Sequence, residues 1–215
     1  MTPATPRQRT FTTLHWRGLL AAAQDVLLVV VVTWFFSMHV RLALNGHLSS
    51  LFFACEQAIT ILLFVLRRRS SATSSRVWEW TAAGVGTWLP LLLQSNEGPF
   101  GAMTAAGVLL QLAGLTCATI GFLYLGRSFG IVAADRGLKS KGPYRLVRHP
   151  VYFSHMVTLL GLLLANPTVI NLGLEVVIVA ALLMRIAAEE RVLRSTGSYH
   201  GYSAAVRWRL VPGLY

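Results

Sequence analysis

The stretch GPYRLVRHPVY, residues 142–152, separates two long apolar segments of the chain. It contains two arginines, one histidine and two tyrosines. Polar groups beside apolar segments are costly to hold at membrane depth, so such groups usually serve a function. We therefore expect this stretch to form part of a site and to fix where the following helix begins.

Apolar segments dominate the rest of the sequence. The 215 residues are 54% hydrophobic and 13% charged, with mean hydropathy +0.57, whereas a soluble domain carries about a quarter charged residues. Most of the segments approach the roughly twenty residues that cross a bilayer as a helix. The sequence thus predicts an all-α polytopic membrane protein with about six transmembrane helices. The six segments are 19–40, 48–66, 77–94, 102–125, 151–165 and 168–187.

The basic residues predict the orientation of these helices. With the N-terminus in the cytoplasm, all 19 lysines and arginines except Arg41 fall on the cytoplasmic side. This distribution follows the positive-inside rule and predicts cytoplasmic N- and C-termini. The net charge of +11 is then explained by topology and by anionic lipid headgroups, and no nucleic-acid partner is expected. The predicted location is a membrane crossed several times, the inner membrane if the chain is bacterial.

Three units are expected along the chain: an N-terminal tail (1–18), a three-helix membrane scaffold (19–100) and a functional core (101–215). Residues 198–215 combine aromatic rings with arginines, which is typical of a segment in the headgroup layer. The two cysteines, Cys55 and Cys117, lie in apolar segments without metal-binding spacing, and no metal is expected. The oligomeric state stays open.

Three acids lie within the predicted apolar segments of the scaffold. Asp25 and Glu56 could face a polar interior, pair with an arginine or be protonated, and a hydrogen bond between helices is the favoured interpretation. Glu79 is expected to pair with Arg76, its neighbour in sequence.

The first candidate cluster surrounds His149. Pro150 suits the first turn of a helix, where the missing N–H is not needed, and His149 would then precede the helix. The free N–H groups of that first turn would favour an anion such as a carboxylate. An anchor in the membrane interface explains the same residues equally well from composition alone.

The second candidate cluster ends the last apolar segment. Arg185 and Glu189 are four residues apart and share a helix face, while Glu190 points elsewhere. Taken alone, this pattern indicates an intrahelical salt bridge. The loop count, however, places both clusters on the cytoplasmic side, separated by one helical hairpin that turns at residues 166–167. We therefore predict that the two clusters border a common cavity.

Together these motifs resemble the isoprenylcysteine carboxyl methyltransferase and phospholipid methyltransferase superfamily, over about residues 101–215. The resemblance implies S-adenosylmethionine as the cofactor. It also implies that Arg185 lies at the methyl acceptor, with Glu190 as a further candidate catalytic residue. The residues implied to bind the cofactor are Arg136, Leu138, Lys139, Tyr144, His149, Pro150, Val151, Tyr152 and Glu189. Phe153 and Ser154 depart from the superfamily pattern, as does the lack of a matching glutamine before the motif.

The predicted function is methyl transfer to a lipophilic acceptor, with a carboxylate such as that of a prenylated cysteine favoured. A phospholipid amine or a thiol is the alternative within the superfamily. Either acceptor would have to lose a proton, and Glu190, His149 or His155 could take it. From another class, a small transporter or an assembly subunit remains open, as does a relative that has lost activity.

Overall fold

Each of the six predicted apolar segments forms a helix in the computed structural model. The structure describes residues 11–46, 49–68, 72–74, 76–94, 101–195 and 199–215. The helices are α1 (Phe11–Leu44), α2 (Ser49–Leu66), α3 (Val77–Trp88), α4 (Ala102–Leu125), α5 (Pro150–Ala165), α6 (Val169–Ser195) and a short α7 (Tyr199–Ala205). Short 3₁₀ turns cover Leu89–Leu92, Gly126–Ser128 and Gly142–Arg145.

The predicted helical class is correct for most of the chain, with one small addition. Strands β1 (Ala72–Thr73) and β2 (Ala134–Asp135) form a two-residue antiparallel pair. Helix α1 also begins before the predicted start at Leu19, because a helix can extend beyond the apolar run that a bilayer would cover. Residues 1–10 of the predicted tail lie outside the described residues.

Three stretches are long and apolar enough to cross a membrane: Ala22–Leu44, Ala102–Ser128 and Val169–Ser195. Two further apolar helices, Phe53–Leu66 and Pro150–Ala165, are shorter. Helix α3 has 12 residues, because Pro90 lacks the N–H that would continue the α-helical pattern. Of the six predicted spans, three therefore have the length of a complete span in the described part of the chain.

The outer faces of the long helices are apolar. Val30 and Trp34 on α1, Leu109 and Leu123 on α4 and Val176 on α6 are each about half exposed or more. Apolar patches this extensive on a helical protein indicate contact with lipid or with a partner rather than with water.

Helices α4 and α5 pack closely because small residues face each other. A Cβ atom added at Gly107 would lie 2.5 Å from the carbonyl oxygen of Gly161, and one added at Gly161 would lie 2.6 Å from the carbonyl oxygen of Gly107. Small residues in such positions let two helix backbones approach each other, as is common in membranes. This contact fixes α5, and with it His149, against α4.

Ion pairs connect the remaining helices. Arg67, just after α2, donates hydrogen bonds from its two terminal guanidinium nitrogens to the carboxylate of Asp25 in α1. Glu79 does not pair with Arg76 as predicted. Instead it accepts hydrogen bonds of 2.7 and 2.6 Å from Arg191 of α6. The prediction was wrong because sequence proximity identified a near neighbour, whereas α6 brings a better placed arginine to a buried carboxylate.

The opposite end of α6 is tied to the segment after α3. The buried side chain of Asn171 accepts a hydrogen bond from the backbone N–H of Gln94 at 3.0 Å and donates one to its carbonyl oxygen at 2.9 Å. Asn171 also donates to the carbonyl oxygen of Asn166, in the turn between α5 and α6, at 2.9 Å. Leu63 of α2 further packs with Ala118 of α4. The predicted boundary at residue 100, between the membrane scaffold and the functional core, stays a prediction.

The α4–α5 contact leads to a stability prediction. Gly107→Ala should lower the free energy of unfolding by about 1–3 kcal/mol, because the added methyl group meets backbone atoms that cannot rotate away. Gly84→Ala is the matched control, since a Cβ atom there has nothing within 4 Å. It should be neutral or slightly stabilising. Thermal unfolding of the detergent-purified variants measures both effects. Equal melting temperatures for the two variants would contradict the packing argument.

Candidate active site

The C-terminal segment and the start of α5 lie side by side. Helix α5 begins at Pro150, as predicted, and the buried His149 precedes it. The backbone N–H groups of Arg148 and His149 donate to the carbonyl oxygens of Trp208 and Arg209, each at 2.9 Å. The segment after α7 therefore fixes the backbone conformation that leads into the helix.

Glu190 is at the centre of a cationic cluster formed by Arg148, Arg194 and Arg209. Arg148 donates to its carboxylate at 2.7 Å, Arg194 at 2.9 Å, and Arg209 at 3.1 Å through each of two nitrogens. The Nε2 atom of His149 lies 3.4 Å from the same carboxylate. The Glu190 side chain is 3% exposed. Its hydrogen-bond partners therefore compensate for the hydration that the carboxylate loses on burial.

Glu189, the neighbouring residue, has different surroundings. Its carboxylate accepts a hydrogen bond from the hydroxyl of Tyr152, and its second oxygen lies 3.9 Å from Nδ1 of His149. The Glu189 side chain is 27% exposed. Glu189 therefore retains acceptor capacity for a ligand, whereas Glu190 has both oxygens occupied.

Arg185 lies one helical turn before Glu189, over the ring of Tyr152 at 5.4 Å. Its guanidinium donates to the carbonyl oxygen of Ile131 at 2.9 Å and reaches the Thr87 hydroxyl at 3.5 Å. Its Nε atom is buried without a partner among the described residues. A Cβ atom at Gly86 would lie 3.3 Å from Cδ of Arg185, so this glycine gives the side chain room.

Arg136 and Tyr144 come from the loop between α4 and α5. Within the described chain, the Nε atom of Arg136 is also buried without a partner. Burial, followed by the charge of nearby Arg67, lowers the pKa of Arg136. Burial raises the pKa of Tyr144 above its usual range, so its phenol stays protonated. The hydroxyl of Tyr202 donates to the carbonyl oxygen of Tyr144 at 2.8 Å and holds α7 against this loop.

A cavity of about 740 Å³ connects these groups. It is lined by nine of the eleven residues that the sequence indicated as site residues. These nine are Arg136, Leu138, Lys139, Tyr144, His149, Val151, Tyr152, Arg185 and Glu189. Pro150 and Glu190 do not line it, since Pro150 is buried at the start of α5 and Glu190 faces the arginines. The two predicted clusters thus meet at one cavity.

Several residues of this region were missed or misplaced from the sequence. Tyr199 and Tyr202 were expected in the headgroup layer, but they are 1% and 9% exposed and line the cavity. Burial raises the pKa of Tyr199 to about 12, which keeps its hydroxyl a donor at neutral pH. Side chains of α1 and α2 also line the cavity. In the sequence, only the acid Glu56 within an apolar segment indicated this. No group of three or more metal-ligating side chains occurs among the residues that the structure describes.

A family model described as phospholipid methyltransferase matches residues 100–196. This family lies within the superfamily that the motifs resemble, so the resemblance is confirmed. The matched segment contains α4, α5 and α6 with the loop between them, and α1 to α3 lie outside it. No curated protein matches the sequence. The family and the apolar helices together indicate an integral membrane methyltransferase.

The arginine cluster leads to a second prediction. Glu190→Gln should lower the free energy of unfolding by about 1–3 kcal/mol, because it leaves the partly buried Arg148 and Arg209 without their counter-charge. It should also release the C-terminal segment to trypsin at Arg207 and Arg209. Arg194→Ala is the control, since that side chain is 50% exposed and its loss should cost at most about 1 kcal/mol. Thermal unfolding and limited proteolysis measure the two effects, and a protected C-terminus in Glu190→Gln would refute the anchoring role.

Proposed function

We propose, from the membership of residues 100–196 in the phospholipid methyltransferase family, that this chain transfers a methyl group from S-adenosylmethionine to a lipophilic acceptor. The observation that carries the proposal is the shared cavity. One end combines an accessible carboxylate with two arginine Nε atoms that lack partners among the described residues, and the remaining wall is mostly apolar. A polar cofactor and an apolar acceptor could therefore occupy the two parts together.

The residues at the polar end fit this cofactor. S-adenosylmethionine carries a carboxylate, an ammonium group and ribose hydroxyls. The unpaired Nε atom of Arg136 is a donor for a carboxylate. Glu189 is an acceptor for hydroxyls or for an ammonium group, and Tyr152 holds its carboxylate in place. The residues proposed to bind the cofactor remain those indicated by the motifs, except that Pro150 contributes through the position of His149.

When bound, the cofactor supplies a methyl group on a positively charged sulfur atom. The protein has to align the acceptor with that methyl group and exclude water. The buried residues His149 and Tyr144 provide a dry wall at this end of the cavity. Tyr202 keeps α7 against the loop and so maintains this wall.

Arg185 is the residue best suited to orient the acceptor. It stands where the polar end meets the apolar wall formed by Ile178 and Leu182. Its position is held by Ile131 and Thr87, and its Nε atom is left to donate. A carboxylate acceptor would be bound by this guanidinium and would need no base, which favours a carboxylate such as that of a prenylated cysteine.

For Glu190 we propose a structural role in place of the catalytic role expected for it. Its two oxygens accept hydrogen bonds from Arg148, Arg194 and Arg209, and it does not line the cavity. A base must reach the proton it removes, and Glu190 has no such path here. We assign it the anchoring of the C-terminal segment.

A phospholipid amine is the second candidate acceptor. The family description favours it, and His155 supports it, because this side chain lines the cavity one turn beyond Tyr152. An amine would have to lose a proton, and His155 could accept it. The charge distribution further suggests that the polar end faces the cytoplasm.

Cofactor binding tests the proposal. Glu189→Gln should weaken binding of S-adenosylmethionine by about 10- to 100-fold, because a charge-assisted hydrogen bond contributes roughly 1.5–3 kcal/mol. Glu175→Gln, a buried acid on the same helix that does not line the cavity, should bind like the wild type. Calorimetry on detergent-purified protein measures both. Absence of binding by the wild-type protein would overturn the proposed cofactor.

Arg185 can be tested separately from cofactor binding. Arg185→Lys keeps a positive charge but loses the planar group that orients a carboxylate. We expect cofactor affinity within about threefold of the wild type and turnover reduced by about 100-fold or more, as for other groups that position a substrate. Methyl transfer to an isoprenylated cysteine analogue measures turnover. If turnover persists, Arg185 has a structural role only.

A further inference from the structure

We infer that the cavity end formed by α1 and α2 recognises a hydrogen-bond donor, an amine or a hydroxyl, at the far end of the methyl acceptor. This inference rests on the proposed function, because it concerns the end of the methyl acceptor that lies away from the transferred methyl group. Most of the residues at this cavity end belong to helices outside the segment that matches the family model.

The cavity is long enough to hold an acceptor beyond the cofactor. Leu28 and His39 on α1 both line it, as do Ile178 and Glu189 on α6. Each pair is separated by about 16 Å along its helix at the usual rise per residue. The cavity therefore extends from the polar site at Glu189 through much of the depth of the helices.

Polar side chains line the end of the cavity that is distant from Glu189. His39, Glu56 and Gln57 line it, and Gln111 of α4 lies on the same cavity. Between them and Arg185 the wall is apolar, with Phe35, Leu115 and Leu182 among its residues. A polar group at each end and an apolar middle are the features expected for an acceptor that is polar at both ends.

Three side chains at the far end, Gln57, Glu56 and His39, offer hydrogen-bond acceptors. The Oε1 atom of Gln57 is buried without a partner in the described part of the chain. Within the same ranges the Glu56 side chain has no hydrogen bond or ion pair. His39 has its Nδ1 atom 2.9 Å from the carbonyl oxygen of Phe35. Since a carbonyl only accepts, Nδ1 of the neutral ring carries the proton and Nε2 is left as an acceptor.

Unpaired acceptors within a membrane-spanning bundle are costly unless a bound group satisfies them. Three acceptors on one cavity favour a ligand group that donates over a carboxylate or a phosphate at this end. An ammonium group would also neutralise an ionised Glu56. The ring of Phe53 lies 5.2 Å from the His39 ring and limits how His39 can turn away. The methyl acceptor that fits both ends is thus a carboxylate on a single apolar chain with a donor at its distal end. A plain prenyl chain or the acyl chains of a phospholipid would fill the apolar middle without offering that donor.

Binding of simple probes to the full-length protein in phosphatidylcholine nanodiscs tests the inference. The probes are n-decylamine, n-decanol and n-decane, and the measurement is the shift of the unfolding temperature with probe concentration, since a ligand of the native state stabilises it. We expect the amine and the alcohol to bind at least tenfold more tightly than the alkane. Equal shifts for all three probes would overturn the inference.

Variants separate this pocket from other sites. Glu56→Gln keeps size and hydrogen bonding, and it should weaken decylamine binding by at least tenfold while changing decanol binding little. Gln57→Leu should weaken both. Glu175→Gln, a buried acid outside the cavity, should change neither. If Glu56→Gln and Gln57→Leu both bind the amine and the alcohol as the wild type does, the pocket does not recognise a donor.

Cofactor affinity, measured in the same variants, keeps this test distinct from that of the proposed function. We expect S-adenosylmethionine to bind to Glu56→Gln as it binds to the wild type, because Glu56 belongs to the opposite end of the cavity. Probe recognition that depends on Gln57 and Glu56 without any cofactor binding would uphold the pocket and reject the methyltransferase. Cofactor binding without selective probe binding would support the proposed methyltransferase and reject the pocket.

Discussion

The site depends on the ion pairs that the buried carboxylate of Glu190 forms with three arginines. A charge with 3% exposure is stable only when hydrogen-bonded countercharges surround it, and the countercharges here come from three parts of the chain. Arg148 precedes α5, Arg194 belongs to α6, and Arg209 follows α7. The hydrogen bonds to this one carboxylate thus hold the start of α5, the end of α6 and the segment after α7 together. His149 and Glu189 take their positions beside this cluster and so face the cavity.

A second constraint is the close contact between α4 and α5. The glycine pair Gly107 and Gly161 lets the two backbones meet, and side chains of both α4 and α5 line the cavity. Helices α1 and α2 close this volume from the side. The segment that matches the family model therefore supplies most of the polar end, and the N-terminal helices supply the far wall.

The sequence predicted the features that local patterns encode. Apolar runs predicted the six helices, Pro150 predicted the start of α5, and the spacing of Arg185 and Glu189 predicted their common face. The two clusters were expected to meet, and they line one cavity. What could not be predicted depends on contacts distant in sequence. Aromatic residues beside arginines indicated a headgroup anchor, yet Tyr199 is buried, because the partners that receive it come from the loop before α5.

Glu190 shows the same limit for function. A second acid beside Glu189 is indistinguishable from a catalytic base in the sequence, since nothing local indicates that Arg148 and Arg209 will occupy it. The lining contributed by α1 and α2 was equally hidden, because an apolar helix face looks the same whether it meets lipid or a cavity. Only Glu56, an acid with no sequence neighbour to pair with, distinguished that wall.

The most direct test of the account is methyl transfer itself. Purified protein would be incubated with a subsaturating concentration of methyl-labelled S-adenosylmethionine and a total lipid extract, and mass spectrometry would identify every species that gains the label, with Glu189→Gln as the comparison. The account predicts a labelled single-chain amphiphile that appears with the wild type and is formed much more slowly by Glu189→Gln. Label that enters no lipophilic species, or that appears equally with Glu189→Gln, would contradict it.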